Sequence, residues 1–385
     1  VVLGCMPSTF VNKEPDQDEA QEPAVFDTIM HAPTSLKQVS IRIKTLLRIN
    51  AMQAEILARL QTLEATFGIR SPIQSQITPA PMRILFVGKP TPDFMAVINS
   101  LSNSDVQVVA AFTSFTAFDY LHSEVFDAVV LNALNGPEPA FTISATMRRN
   151  SRLYHTPTLL LAPKSHPDNP HVDLDESVVK GVSDIIVSGV ELSEIRGRIL
   201  ELARQYRAHN LLKVKFSNIG GAACMDPQTG LFNRRFLTAH LARHISMLSP
   251  SNGPNLCVAL FGVSNQSQSP MSAADTIQST PKIANMIRSL VRMEDCVAHI
   301  SDSRFAIIFP KQTEADAKIA AVRLQAILEA SSYSADENIF TVKSPFALTS
   351  VRTGSDALDV LAQLERELAP QIKPVPRLSH TEASG

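Results

Sequence analysis

An arginine and an aspartate stand three residues apart in the chain, at Arg292 and Asp295. An arginine fork can donate to the O6 and N7 acceptors of a guanine base, and a carboxylate can accept from the opposite edge of the same base. The same spacing also fits an ordinary surface pair one helical turn apart, which stabilises a protein by about 0.3 kcal/mol. The pair alone leaves both interpretations open, so the elements around it must decide.

The composition limits the class of protein to which this pair belongs. The 385 residues predict two to three domains at about 150 residues each. Lys and Arg number 35 and Asp and Glu number 37, so the formal net charge is −2. This balance argues against binding of a nucleic-acid polymer through a broad basic face. The hydrophobic fraction of 44% excludes a mostly disordered chain.

The sequence predicts neither a membrane span nor a metal site. No apolar run approaches the roughly 18 residues that a bilayer requires. The four cysteines form no CxxC pair, which fits a reducing cytoplasm and indicates neither zinc nor disulfides; they are Cys5, Cys224, Cys257 and Cys296. We expect a cytoplasmic protein without a cofactor. The chain begins at Val1 without a methionine or a cleavage site, and we interpret it as a fragment without a signal peptide.

Five apolar runs in the middle of the chain predict a parallel β-sheet. They are Ile84–Val87, Val106–Val109, Ala128–Leu131, Leu159–Leu161 and Ile185–Val187. Amphipathic stretches of helical length separate these runs, and such alternation is typical of a doubly wound α/β sheet. The number of strands fits a flavodoxin-like order in a domain at 82–212.

The end of this domain is repeated near the start of the chain. Val182–Tyr206 is similar to Phe26–Asn50, and both segments predict a strand, a loop and a helix. We therefore interpret 1–67 as the C-terminal part of a first copy with a long helix, and 68–81 as a linker.

The long helix carries apolar residues at spacings of three and four. This seam predicts either a dimer formed through the helix or a single amphipathic helix packed on its own domain. Both alternatives stay open, and we expect a homodimer. The seam consists of Leu46, Ile49, Gln53, Ile56, Leu60, Leu63 and Phe67.

The pattern changes after about residue 211. Helices alternate there with hairpin strands, which predicts an α+β domain at 213–370. Helices are predicted at Arg234–Leu248, Glu314–Ala330 and Asp356–Leu368. Strands are predicted at Leu256–Val263, Cys296–Ile300, Phe305–Phe309 and near Phe340. A tail at 371–385 is predicted to be disordered.

The segment at 82–205 resembles a response-regulator receiver domain, but it lacks the acidic residues of that family. The resemblance implies two acidic residues after the first strand and a phosphoacceptor aspartate after the third. Gly88 and Lys89 occupy the first two places, and Asn132 occupies the third. The family's hydroxyl and lysine are replaced by Ala162 and Ser188. An acyl phosphate needs a carboxylate and Mg²⁺ needs oxygen ligands, so we expect a pseudo-receiver that packs without being phosphorylated.

The segment at 213–370 resembles the GGDEF domain of diguanylate cyclases. Asp226–Arg235 (DPQTGLFNRR) is close to the family's DxLTGLxNRR, and Arg292–Pro310 follows RxxDxxxRYGGDEFxxxxP. The signature pentapeptide itself is degenerate and reads Ser301, Asp302, Ser303, Arg304, Phe305.

These replacements predict that the domain is not an enzyme. In the family, acidic residues hold the metal ions that phosphoryl-type transfer requires. Ser303 and Arg304 stand at two of those acidic positions, and Gly262 stands where the family has an aspartate at the end of the first strand. Asp302 is displaced by one residue, which should point it to the other face of the hairpin. Asn233 matches a guanine-contacting residue of the family but also fits a structural turn or helix cap.

The family's product-binding motif is retained, at Arg292 and Asp295 five residues before the pentapeptide. The resemblance implies that these residues bind cyclic di-GMP, with Arg323 as the second arginine. The architecture resembles receiver–receiver–GGDEF proteins of the PleD and PopA type, which implies a cyclic di-GMP effector at the cell pole. It also implies an adaptor that delivers a cell-cycle protein to a protease. The alternatives are a dimerising scaffold without a ligand and, less favoured, an active cyclase.

Overall fold

The computed structural model divides the chain into two compact units by its internal contacts. Unit 1 contains 1–50 and 74–211, and unit 2 contains 51–73 and 212–385. The predicted domain boundaries stay predictions. The structure describes 3–6, 28–31, 36–70, 80–101, 105–134, 138–150, 152–163, 181–249, 255–265, 273–301, 303–335 and 338–371. Most of the predicted linker, nearly all of the predicted tail and Asp302 lie outside these ranges.

Unit 1 is built on a five-stranded parallel sheet. Its strands are β3 (Met82–Val87), β4 (Val106–Ala111), β5 (Ala128–Asn132), β6 (Thr158–Ala162) and β7 (Asp184–Val187). Their spatial order is β4-β3-β5-β6-β7, and all four neighbouring pairs are parallel. This is the flavodoxin-like order that the sequence predicts, and the prediction is confirmed.

Both faces of this sheet are buried, which explains the continuous apolar runs. Successive residues of β3 point to opposite faces: Leu85 packs in one core cluster with Leu121, and Phe86 packs in the other with Phe94. The helices are α2 (Pro92–Leu101), α3 (Ser114–Ser123), α4 (Glu138–Arg149) and α5 (Leu192–Asn218).

The partial first copy is also present in the structure. β1 (Leu3–Met6) and β2 (Thr28–His31) form a parallel pair, and α1 (Leu36–Phe67) follows β2. A strand pair followed by a helix is the arrangement that the internal repeat predicts, and this part of the fold prediction is confirmed.

Unit 2 contains a second five-stranded sheet, which is mixed. The strand order is β15-β9-β12-β11-β8, in which only the β11–β8 pair is parallel. The strands are β8 (Phe232–Asn233), β9 (Leu256–Gly262), β11 (Cys296–Ser301), β12 (Arg304–Pro310) and β15 (Phe346–Ser350). A smaller sheet contains β10 (Ser264–Asn265), β14 (Asn338–Lys343) and β13 (Ser332–Ala335) in that order.

Four helices accompany these sheets. They are α6 (Arg234–Ser246), α7 (Ala273–Leu290), α8 (Glu314–Ala330) and α9 (Ala357–Leu368). The α+β prediction for this part of the chain is confirmed. The sequence analysis missed β8, β10, β13 and β15, of which the last pairs with the central strand β9.

The second half of α1 belongs to unit 2, where its apolar side is buried. Met52, Ile56 and Leu63 are almost fully covered within the chain. Of the two interpretations of the seam, the structure therefore shows the helix packed on its own chain. The homodimer stays a prediction.

A buried polar network accompanies this packing. Glu55 on α1 forms an ion pair with Arg59 and contacts His240 and His244 on α6. Burial acts to raise the pKa of Glu55, but the Arg59 guanidinium and His240 hold it well below its usual value. Burial lowers the pKa of His240 to about 4. Among the residues that the structure describes, none of the helices combines the length and the apolar character of a membrane span.

Candidate functional site

The arginine–aspartate motif forms a tight turn between α7 and β11. The Asp295 amide donates to the Arg292 carbonyl oxygen at 3.1 Å, and the Arg292 amide donates to Asp295 Oδ2 at 2.9 Å. These two hydrogen bonds close the turn. The Arg292 side chain is exposed, so the turn presents a guanidinium to solvent.

The Asp295 carboxylate lies underneath the turn rather than on the surface. The residue is 6% exposed, and its Oδ1 accepts from Gln312 Nε2 at 2.9 Å. Burial raises the pKa of Asp295 to about 7, although the hydrogen bond from the Arg292 amide opposes this. The sequence analysis predicted that this carboxylate faces a base. In the structure, this carboxylate instead accepts the hydrogen bond from the Arg292 amide that closes the turn.

Arg323 comes to the same end of α7 from the neighbouring helix α8. Its Nη2 donates to the Leu290 carbonyl oxygen at 3.2 Å, two residues before Arg292, and its side chain is exposed. The structure therefore brings together the two arginines that the sequence analysis selected. Two exposed guanidinium groups at one helix end suit an anion with planar acceptor edges.

A third arginine supports the turn from below. Arg59 Nη2 donates to the carbonyl oxygens of Met293 and Asp295 at 3.2 and 3.0 Å. Its guanidinium also lies 4.8 Å from the Phe216 ring centre, a cation–π contact. The sequence analysis missed this residue. No local signal could have found it, because Arg59 and Asp295 are 236 positions apart.

The degenerate pentapeptide forms the hairpin between β11 and β12. A register shift falls between His299 and Ser301, and Ser301 pairs with Arg304 across the hairpin. Arg304 also pairs with Gly262 on β9. A cationic residue and a glycine therefore stand opposite each other where the resemblance implies two acidic residues. Phe305 is buried in the core, and Asp302 lies outside the described residues.

The first GGDEF-like motif has a structural part in the fold. Asn233 caps the N-terminus of α6, where its Oδ1 accepts from the Phe236 amide at 2.9 Å. Its Nδ2 donates to the Ala223 carbonyl oxygen at 3.0 Å. These contacts agree with the interpretation of Asn233 as a helix cap.

Asp226 lies beside the same segment and contacts His299. Its Oδ1 accepts from the Thr229 hydroxyl at 2.7 Å and lies 3.1 Å from His299 Nδ1. Burial acts to raise the pKa of Asp226, but the hydrogen bonds from Thr229 and the nearby His299 lower it. This carboxylate is therefore committed to contacts within the chain.

The receiver-like positions meet at the carboxyl ends of the strands of unit 1. Asn132 Nδ2 donates to the Lys89 carbonyl oxygen at 3.0 Å, and its Oδ1 accepts from the Leu134 amide at 3.0 Å. Nearby, the Ser188 amide donates to the Ala162 carbonyl oxygen at 2.8 Å. The predicted phosphoacceptor place is thus occupied by an amide whose donor and acceptor both bind local backbone.

Comparison with known proteins gives fold neighbours alone. No protein-family model matches this chain, and no curated protein matches it. Among solved structures, the chain is similar to the GGDEF domain of FimX from Pseudomonas aeruginosa, at 18% identity and a TM-score of 0.33, covering 37% of this chain and 90% of that one. It is also similar to the GGDEF domain of DgcB from Caulobacter crescentus in complex with c-di-GMP, at 17% identity and a TM-score of 0.33, covering 40% and 89%.

A second group of neighbours consists of receiver domains. One is a response regulator from Chloroflexus aurantiacus, at 17% identity and a TM-score of 0.28, covering 32% of this chain and 98% of that one. The fold assignment itself rests on the strand orders and registers of this chain.

Proposed function

We propose that this protein is a catalytically inactive receptor for cyclic di-GMP. The observation that carries the proposal is the turn at Arg292, which presents one exposed guanidinium beside that of Arg323. Each arginine can donate in a fork to the O6 and N7 atoms of a guanine, and both attract the ligand's phosphates. Asp295 fixes the turn from below by accepting from the Arg292 amide.

Asp295 is buried, whereas the two arginines are exposed. Burial disfavours the charged form of this carboxyl group and raises its pKa to about 7. The phosphates of a cyclic dinucleotide would therefore meet the two guanidinium groups on the surface, where the buried carboxyl group presents no exposed charge.

The absence of catalysis is part of the same proposal. Metal-assisted phosphoryl transfer needs carboxylates that hold the ions between attacking and leaving oxygens. The resemblance places those carboxylates at the positions of Arg304 and Gly262, which pair with each other across two strands. Arg304 is positively charged, and neither residue has a carboxylate. We expect no turnover of GTP above a blank with Mg²⁺ or Mn²⁺.

The proposed output is the presentation of a surface to another protein. A ligand changes such a surface only if it binds one arrangement of the chain more tightly than another. A cyclic di-GMP dimer has four guanines, so arginines from a second copy of this chain can take part. By resemblance to the PleD and PopA type, we propose an adaptor for a protease or a cell-cycle protein, located at the cell pole.

Isothermal titration with cyclic di-GMP tests the proposal directly. We expect saturable binding by the wild type and a loss of affinity of at least about tenfold in Arg292→Ala, since a fork to a charged group contributes about 1.5 to 3 kcal/mol. Arg352→Ala is the matched control, because Arg352 is an exposed arginine in the loop after β15. Its affinity should equal that of the wild type.

Two outcomes would contradict the receptor proposal. A folded wild type that does not bind leaves the ligand-independent scaffold as the better account. Equal affinity in wild type and Arg292→Ala places the ligand elsewhere.

A further inference from the structure

Three potential metal ligands converge inside unit 2 from two helices. Glu55 lies on α1, and His240 and His244 lie on α6. His240 Nε2 is 2.9 Å from Glu55 Oε1, His244 Nε2 is 3.0 Å from Glu55 Oε2, and the two Nε2 atoms are 3.2 Å apart. All three ligand atoms lie within 4.8 Å of one another.

The spacing in the chain explains how the two histidines come together. Residues four apart on a helix share one face, so both rings point to α1 from successive turns of α6. The rings are nearly perpendicular, at 81°, with centres 4.6 Å apart. Both Nε2 atoms consequently point to the same carboxylate.

The contacts of the Thr62 hydroxyl indicate which nitrogen of His240 can carry the hydrogen. The Thr62 hydroxyl has one proton and lies 2.8 Å from the Ala58 carbonyl oxygen and 3.0 Å from His240 Nδ1. If the proton is on the shorter contact, His240 must donate from Nδ1 to Thr62. In a neutral imidazole, Nε2 then carries a lone pair.

His240 Nε2 and Glu55 Oε1 lie 2.9 Å apart, and a proton on Nε2 can join them as an ordinary hydrogen bond. A metal ion between these two atoms would take the place of that proton. His244 Nε2 lies 3.2 Å from His240 Nε2 and 3.0 Å from Glu55 Oε2, so the same cation can reach all three side chains. The three side chains can therefore share one cation.

The second layer of contacts is the kind that orients metal ligands. Thr62 holds the other nitrogen of His240, and Arg59 Nε donates to Glu55 Oε1 at 2.6 Å. In metal sites the second imidazole nitrogen is commonly bound to an oxygen, and the ligating carboxylate is itself hydrogen-bonded. Both features are present here, and both come from residues of α1, the helix that carries Glu55.

The donor set selects the class of ion. Mg²⁺ and Ca²⁺ take mainly oxygen ligands, whereas two imidazoles and a carboxylate suit zinc and its neighbours. With bonds of about 2.0 to 2.1 Å, tetrahedral zinc donors lie about 3.3 Å apart. The two Nε2 atoms are 3.2 Å apart and each lies 2.9 to 3.0 Å from one Glu55 oxygen, which is close to this value.

We propose that Glu55, His240 and His244 form a binding site for a divalent transition-metal ion of the zinc class. The ion joins α1 to α6, and water supplies the fourth ligand from the side of His244, whose side chain is 12% exposed. The sequence analysis expected no metal because it examined the cysteines. The His-x-x-x-His spacing in a helix was the signal that it did not use.

Titration of the full chain with Zn²⁺, after treatment with a chelator, tests this site. We expect one equivalent of Zn²⁺ per chain and a higher thermal midpoint when zinc is present. His244→Gln should weaken binding more than about 100-fold, because even loss of an outer partner costs 10- to 100-fold. His122→Gln, at an exposed position on α3, should bind zinc like the wild type.

A second readout separates a metal site from a network of hydrogen bonds. Co²⁺ in place of zinc should give visible absorption in the wild type, and His244→Gln should lose it while keeping the wild-type circular dichroism. Glu55→Gln should show the same loss. Absence of zinc binding by the folded wild type, or equal affinity in wild type and His244→Gln, would mean a hydrogen-bonded network only.

Discussion

The two sheets differ at the positions where the receiver and GGDEF resemblances predict carboxylates. In unit 1, Asn132 binds the backbone of Lys89 and Leu134, so the place is closed by local hydrogen bonds. In unit 2, Arg304 stands opposite Gly262, while the exposed Arg292 remains on a separate turn. The Asn132 side chain therefore has its partners in the local backbone, whereas the Arg292 guanidinium is exposed and can meet an anion.

The comparison also shows why both folds tolerate these replacements. The sheets are held by apolar residues of the strands, such as Phe86 in unit 1 and Phe261 in unit 2, which are fully buried. The positions that the two resemblances assign to chemistry lie at strand ends and in turns. Chemistry can be lost there without loss of the burial that stabilises the fold.

The largest effect should come from the core of unit 2. Phe236 stacks on Phe232 with ring centres 3.9 Å apart and is fully buried. Phe236→Ala should lower the free energy of unfolding by about 3 to 5 kcal/mol, because it leaves a cavity. Denaturant unfolding measures the loss. Amide exchange should show protection lost in β11 and β12 and kept in β3 and β5; equal loss in all four strands would mean that the units unfold together.

The next effect is a pH dependence that belongs to the turn of unit 2. The folded pKa of Asp295, about 7, lies above its ordinary value, so the folded state holds the proton more tightly. This contribution is fully present below about pH 4 and is lost as the pH rises through 7, by on the order of a few kcal/mol.

Asp295→Asn removes the ionisable group and should remove this part of the pH profile. Chemical denaturation at pH 4 to 8 measures it, with Asp119→Asn, an exposed position on α3, as the control that keeps the wild-type profile. A variant whose profile equals that of the wild type would contradict the assignment to Asp295.

A smaller effect on stability should appear beside Asn132 in unit 1. Gly88 has φ +140°, and a Cβ there would lie 2.5 Å from Asn132 Cβ. Gly88→Ala should therefore cost about 1 to 3 kcal/mol through strain. Gly197→Ala, inside α5 with nothing near the added atom, should stabilise by about 0.5 to 1 kcal/mol. Thermal unfolding compares the two, and effects of the same sign would contradict the difference in backbone geometry.

The smallest effect on stability should come from the helix caps, and one cap in each unit is compared. Asn233 caps α6 and Thr113 caps α3, each through its side-chain oxygen. Replacement of either by alanine should cost about 1 kcal/mol. If Asn233 has only this structural task, Asn233→Ala should leave the affinity for cyclic di-GMP unchanged in the titration. A tenfold loss of affinity would instead assign it to the ligand site.

Most of the fold could be predicted from local pattern. Unbroken apolar runs predicted four of the five strands of the parallel sheet, because strands covered on both faces need apolar residues throughout. The fifth, β4, was predicted from a run interrupted by Gln107, and it lies at the edge of the sheet. The bounds of α8 agree with the predicted helix at Glu314–Ala330. β15 was missed because a short strand with mixed burial has neither a continuous run nor a regular alternation.

The sequence by itself determined the order of elements and the residue types at each functional place, because periodicity and spacing are local properties. Only the tertiary structure decided that Asp295 is buried and that Arg59 holds its turn. The same is true of Glu55, which meets His240 across 185 positions. Burial and ion pairing depend on surfaces brought together from distant parts of the chain, and no local window contains both partners.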